Sequence, residues 1–290
     1  MENETMAETA QIANGISGDK RYQERARRAL PLLVRQAQAF QPITYSDLAS
    51  ELGMSNPRTL NYVLGAIGQA LKRLAVDWAV DIPAIQCLVV NKHTGLPGEG
   101  VGWFITSLDD FKKLNRKQQR NIVQAELQRV FAFNRWPAVL EEFGLKPKPL
   151  DYRTILHQAA SFVGGGESTH HRALKEFVAG HPDVIGLPSS VGPGETEHPL
   201  PSGDCLDVFF QDHDDFVAVE VKSSLSNTAD VVRGMFQCIK YRAVMEALQA
   251  TRGLAQNARA ILVLQGEVPA ELIPMRNVLG IEVVEKIEPC

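Results

Sequence analysis

The chain has 290 residues, 44% of them hydrophobic and 22% charged, with a formal net charge of −4. This is an ordinary globular composition with enough residues for two modest cores, and the acidic balance excludes an overall basic coat that would bind nucleic acid through the field of the whole molecule. Cys87, Cys205, Cys238 and Cys290 are scattered without C-x-x-C spacing, which argues against a zinc knuckle or disulfide framework and fits a reducing cytoplasm. No apolar run approaches the roughly eighteen residues of a membrane span, so no membrane partner is expected.

In chain order, residues 1–20 are acidic and rich in small residues, which predicts a disordered tail rather than a signal sequence. From Arg21 to about Phe40, apolar residues recur near helical spacing, with a kink or break expected at Pro31. Residues 44–53 describe a short helix with Leu48, Ala49 and Leu52 on one side and Gly53 as its stop. A second helix follows a tight turn: Ser55 or Asn56 caps it, Pro57 suits its first position, and Leu60, Val63, Leu64, Ile67, Leu71 and Leu74 form its buried stripe. The outline is helix-turn-helix. Residues 84–90 read as a strand and 93–100 as a glycine-rich loop ahead of Trp103 and Phe104, so that residues 21–105 make a winged-helix-like module. Residues 106–149 read as a helical connector, ending in the stiff Gly144-Leu145-Lys146-Pro147-Lys148-Pro149, where the domain boundary is placed.

Residues 150–290 change pattern. A helix is expected over 167–179, strands over 205–210 and 216–221, a long helix over 228–248, and strands over 258–264 and 281–284 bracketing a short segment at 269–276. The fold class is α/β, a mixed sheet flanked by helices.

In the run Phe216-Val217-Ala218-Val219-Glu220-Val221-Lys222, the valines point to one face while Ala218, Glu220 and Lys222 point to the other. Asp207 likewise lies on the opposite side of its strand from Leu206, Val208 and Phe210. A hairpin closed by Asp212-His213-Asp214-Asp215 sets Gln211 against Phe216 and Asp207 against Glu220. Directly opposed side chains lie roughly 4.5–5.5 Å apart at their β-carbons, a spacing at which two carboxylates repel unless a cation intervenes. Carboxylate oxygens, waters and a substrate phosphate suit magnesium, with manganese also possible. Phosphodiester hydrolysis follows, with Lys222 placed to position the attacking water. Taken alone, the Glu220-Val221-Lys222 triplet equally describes a solvent-facing ion pair on a hairpin.

Asp207 followed by Glu220-x-Lys222 on the next strand resembles the PD-(D/E)XK (restriction-endonuclease-like) nuclease superfamily, here without the leading proline of the first motif. Residues 166–175 resemble that superfamily's first core helix, in which Glu167 is the matching acidic position and Glu176 the substitute. Gln237-x-x-x-Tyr241 is similar to the RecB-like branch, and the two side chains share a helix face. The resemblance implies Glu167, Asp207 and Glu220 as metal ligands, Lys222 in water activation, and Gln237 and Tyr241 orienting water or phosphate. It implies a DNA endonuclease of restriction, phage defence or repair, acting as a homodimer or with partner proteins. The competing reading is a non-catalytic DNA-binding regulator or scaffold. Asp204 is assigned to the turn Ser202-Gly203-Asp204, and His170, His171, His181 and His198 to solvated or helix-packing roles, because no H-E-x-x-H spacing occurs. Cys205 and Cys238 are read as small packing residues.

Residues 44–100 are similar to the DNA-binding domain of the alkyltransferase-like proteins, through Thr44-Tyr45-x-x-Leu48-Ala49, Asn56-Pro57-Arg58, Ile82-Pro83 and Val89-Val90-Asn91. The reactive Pro-Cys-His-Arg is missing, since Ala84-Ile85-Gln86 follows Pro83, so methyl transfer is not implied. Tyr45 and Arg58 become the DNA-facing candidates, Arg58 at a helix N-terminus that also favours phosphate. Basic clusters flank the module: Lys20, Arg21, Arg25, Arg27 and Arg28 before it, and Lys112, Lys113, Arg116, Lys117 and Arg120 after it.

Overall fold

The computed structural model describes residues 15–161 and 168–289. They fall into two compact units that divide between Pro149 and Leu150.

The first unit is mainly helical. Helix α1 (Arg21–Gln38) runs through Pro31 without interruption, so the expected break does not occur. Proline costs a helix one hydrogen bond, and here Leu30, Leu32, Leu33 and Val34 around it are all buried, which holds the helical path. The strand β1 (Ile43–Thr44) leads into α2 (Tyr45–Glu51), whose N-cap Thr44 accepts from the Asp47 N–H at 3.1 Å. Gly53, at φ +66°, ends that helix as expected, with Met54 N–H returning to Ala49 O. Asn56 Oδ1 caps a 3₁₀ turn at Pro57–Thr59, and α3 (Leu60–Asp77) follows. All six residues of the expected stripe are buried, and every residue from 63 to 68 is buried, so α3 is the centre of this core.

Residues 84–90 depart from the expected strand. Ile85–Leu88 form a 3₁₀ turn, and β2 is limited to Val89–Val90, paired in parallel with β1. The apolar run is buried all round, a pattern that period alone does not assign to strand or helix. Among the described residues this unit holds no antiparallel hairpin of the kind a wing requires. The presumed connector is also part of the core. Helix α4 (Gly102–Ile105) packs Phe104 and Ile105 against the cluster of α1 and α3, to which α5 (Leu108–Lys113), α6 (Arg116–Ala132) and α7 (Trp136–Glu142) contribute Phe111, Val123, Leu127, Val130, Trp136, Val139 and Leu140. Glu126 of α6 is buried there and accepts from Ala84 N–H. The last residues of the expected tail pack against α1: Ile16 is buried, and Arg27 donates to Ile16 O and Gly18 O.

The second unit begins with α8 (Arg153–Ser161) and α9 (Thr169–Gly180), the latter N-capped by Ser168. Strands β3 (Glu195–Pro199), β4 (Cys205–Asp212) and β5 (Asp215–Lys222) are antiparallel, and β6 (Arg259–Leu264) and β7 (Glu282–Val284) continue the sheet in parallel, in the order β3-β4-β5-β6-β7. Helix α10 (Thr228–Thr251) makes the crossover from β5 to β6, and α11 (Ile273–Leu279) the one from β6 to β7. Sheet parity divides the core. Val208, Phe210, Val217, Val219, Val221, Ile261 and Val263 pack against Leu174 and Val178 of α9 on one face. Phe216, Ala218, Leu262 and Leu264 pack against Val231, Met235, Cys238, Tyr241 and Met245 of α10 on the other. The architecture is a mixed α/β layer with helices on both faces of the sheet.

Strand β3 lies outside the elements expected from sequence. Its Glu-Thr-Glu-His-Pro sequence shows no apolar alternation because it is an exposed edge, and Glu197 sits at φ +55° within it.

Candidate active site

The β4–β5 hairpin has the expected register, with Gln211 against Phe216 and Val208 against Val219. Strand β4 runs two residues past its expected end and β5 one residue past each of its ends, leaving His213 and Asp214 as a two-residue turn, with His213 at φ +53°. Backbone pairing stops at Val208. One residue further, the Asp207 carboxylate itself takes the Val221 N–H at 2.8 Å through Oδ2, so the aspartate fills the opening where β4 leaves β5. Leu206 departs from the expected parity at the same point, packing with the α10-side cluster instead of with Val208.

Glu220 is 3% exposed and faces α10. Lys222 Nζ donates to its Oε1 at 2.5 Å, and Tyr241 OH donates to its Oε2 at 3.3 Å. The Tyr241 hydroxyl also lies 3.3 Å from Cys205 O and accepts from Gln237 Nε2 at 3.1 Å. Four-residue spacing on α10 therefore sets Gln237 behind Tyr241, whose hydroxyl alone of the two reaches the carboxylate. The helix comes this close because residue 234 is glycine: a methyl group there would lie 3.0 Å from Lys222 Cε and 2.8 Å from Leu262 Cδ1.

Electrostatically, Glu220 is the focus. Burial, and then the neighbouring Asp207 charge, raise its carboxyl from 4.5 to about 7, against the lowering effects of Lys222 and Tyr241. On the α10 side of the sheet, Lys222 is the cation bonded to this carboxylate.

The opposite face supplies a residue that sequence reasoning set aside. His171 of α9, half-buried, lies with Nε2 3.3 Å from Asp207 Oδ1. That hydrogen bond raises the imidazole above its ordinary value, against the effect of burial. One turn on, buried Lys175 pairs with Glu197 of β3, whose other oxygen accepts from Cys205 Sγ at 3.3 Å. The signal was present in the sequence: His171 and Lys175 are four apart, on the side of α9 that carries Leu174 and Val178. Their partners, 36 and 22 residues away, were not visible there.

Glu167 lies outside the described residues. Glu176 is exposed on α9. Asp204 stands in the Ser202–Asp204 turn, bonded to Ser202 Oγ and Lys240 Nζ. Among the described residues, no group of three or more histidine, cysteine, aspartate or glutamate side chains is arranged to hold a metal ion.

In the first unit, Tyr45 is half-buried and its hydroxyl accepts from Gly98 N–H at 2.9 Å, tying α2 to the glycine-rich loop. Arg58 is exposed, with its backbone N–H already capped by Asn56. Lys112, Lys113, Arg116 and Lys117 are exposed at the junction of α5 and α6, Lys113 lying 3.5 Å from Asp110.

Comparison of the chain with protein-family models, with curated proteins and with solved structures returns no match. Among the described residues, no helix is long and apolar enough to cross a membrane.

Proposed function

We propose that the second unit is a metal-dependent DNA endonuclease of the restriction-endonuclease-like, PD-(D/E)XK kind, and that the first unit binds DNA through the helix-turn-helix of α2 and α3. The observation that carries this reading is a carboxylate pair, half-buried Asp207 and fully buried Glu220, beside Lys222 at the splayed end of a hairpin. Buried like charges persist where a cation or a proton compensates them. Asp207 and Glu220 are oxygen donors suited to magnesium or manganese, and Glu167 is the third ligand expected from the resemblance. When bound, such an ion polarises a phosphate and lowers the pKa of a water.

The chain's own residues then have distinct tasks. Val221 N–H and His171 fix the orientation of Asp207. Tyr241, held by Gln237, fixes Glu220. Lys222 neutralises Glu220 in the resting site and is placed to orient the attacking water and offset charge on the phosphate. The alternative, a DNA-binding scaffold, has one observation in its favour: both carboxylates already have internal hydrogen-bond partners.

Incubation of the purified chain with plasmid and linear DNA in magnesium, manganese or EDTA, alongside Glu220→Ala and Lys222→Ala, separates the readings. Metal-dependent cutting lost in both variants is expected. Cutting that persists in EDTA or in both variants defeats the site assignment, and binding without cutting favours the scaffold.

A further inference from the structure

Among the described residues of the second unit, the large apolar side chains left exposed are Leu156, Leu225 and Phe236, at 39%, 65% and 40%. All three lie on the α10 side: Leu156 on α8, which packs against α10, Leu225 in the loop that follows Lys222, and Phe236 on α10 itself. Phe236 keeps 40% of its surface exposed, so one face of the ring is open to solvent one residue before Gln237 of the site.

Its neighbours have a definite chemistry. At about 100° per residue, Arg233 and Lys240 project from α10 between Gln237, which faces the site, and Phe236, which faces solvent. Arg233 pairs with Asp230 on the same helix at 2.6 Å and Lys240 with Asp204 of the β3–β4 turn at 2.7 Å, and both cations remain partly exposed. The order outward from Glu220 is therefore amide and hydroxyl, then two cations, then an aromatic face. A strand of nucleic acid presents the complementary series: a phosphate at the reacting position, further phosphates, and a base free to stack. In a duplex the bases are already stacked on each other and cannot use such a ring.

We infer that Phe236, flanked by Arg233 and Lys240, is a base-stacking platform that makes the site selective for unpaired DNA. The inference rests on the nuclease reading for its substrate but not for its test. Base–aromatic stacking contributes about 1–3 kcal/mol per base, so losing the ring weakens strand binding roughly tenfold.

The test is fluorescence anisotropy in EDTA, with the full chain and a labelled oligonucleotide of roughly twelve nucleotides, single-stranded or as a duplex of the same sequence. Phe236→Ala is expected to weaken single-strand binding about tenfold and to change duplex binding by less than about twofold, while Phe236→Trp restores single-strand binding. Phe236→Ala binding the single strand as the wild type does, or losing single strand and duplex alike, overturns the platform. Because nothing is cut in EDTA, failure of the Glu220→Ala and Lys222→Ala cutting test would leave this result standing, and the two failures are distinguishable.

Discussion

Replacing Gly234 by alanine tests the site geometry without removing any polar group from it. The added methyl would stand 2.8 Å from Leu262 Cδ1, 3.0 Å from Lys222 Cε and 3.6 Å from Glu220 Cγ. Carbon atoms pack favourably at about 3.5–4.0 Å, so α10 must withdraw, or Leu262 and Lys222 must give way, by roughly 0.5–1 Å. The helix itself gains up to about 1 kcal/mol from losing a mid-helix glycine, while over-packing a filled core costs about 1–3 kcal/mol. The net expectation is a loss of roughly 0–2 kcal/mol in urea unfolding, modest because the two effects oppose. The metal-dependent cutting proposed for this site should suffer far more. Tyr241 and Gln237 ride on the displaced helix, and an error of about 1 Å in placement costs on the order of a hundredfold in rate. If Gly234→Ala gained the full helix increment and cut DNA at the wild-type rate, the close approach of α10 to β5 would not be what positions Glu220 and Lys222.

Three further outcomes follow from the same cluster. Because the Glu220 carboxyl is raised to about 7, its contribution to stability is complete below about pH 4.5 and is lost as pH rises through 7; over that window the change is on the order of 3 kcal/mol. Glu220→Gln should flatten the urea-unfolding profile between pH 5 and 8, and an unchanged slope would refute the assignment. Lys222→Met removes the cation that lowers the Glu220 carboxyl. The variant should lose up to about 3–5 kcal/mol at pH 8 and much less at pH 5, where Glu220 takes a proton; equal losses at both pH values would count against the pair. Tyr241→Phe deletes the hydroxyl shared by Glu220, Gln237 and Cys205 O. It should cost about 1 kcal/mol in thermal or urea unfolding, and no loss would mean that the hydroxyl is replaced by water.

The sheet and its acidic pair were legible from local pattern because their causes are local. Strand alternation put Glu220 and Lys222 on one side of β5, and a short turn set the register that brings Asp207 to the same end. Helical spacing placed Gln237 beside Tyr241 for the same reason. Other features depended on partners far away in the sequence. Whether Pro31 would break α1 was settled by the burial of the helix around it. Ile85–Leu88 formed a 3₁₀ turn and the expected strand shrank to Val89–Val90, because residues 84–89 are buried without alternation, and the presumed connector became core because Trp136 and Leu140 found the same interior as α3. Edge strand β3 carries no apolar alternation, so only its pairing with β4 reveals it.

The sequence by itself determined which side chains share a strand face or a helix face, since those relations follow from backbone periods of two and 3.6 residues. Only the tertiary structure decided that His171 reaches Asp207 from the opposite side of the sheet. Only there does Glu220 become buried enough to hold a proton near neutral pH, because burial and long-range contact belong to the packed chain and to no segment of it.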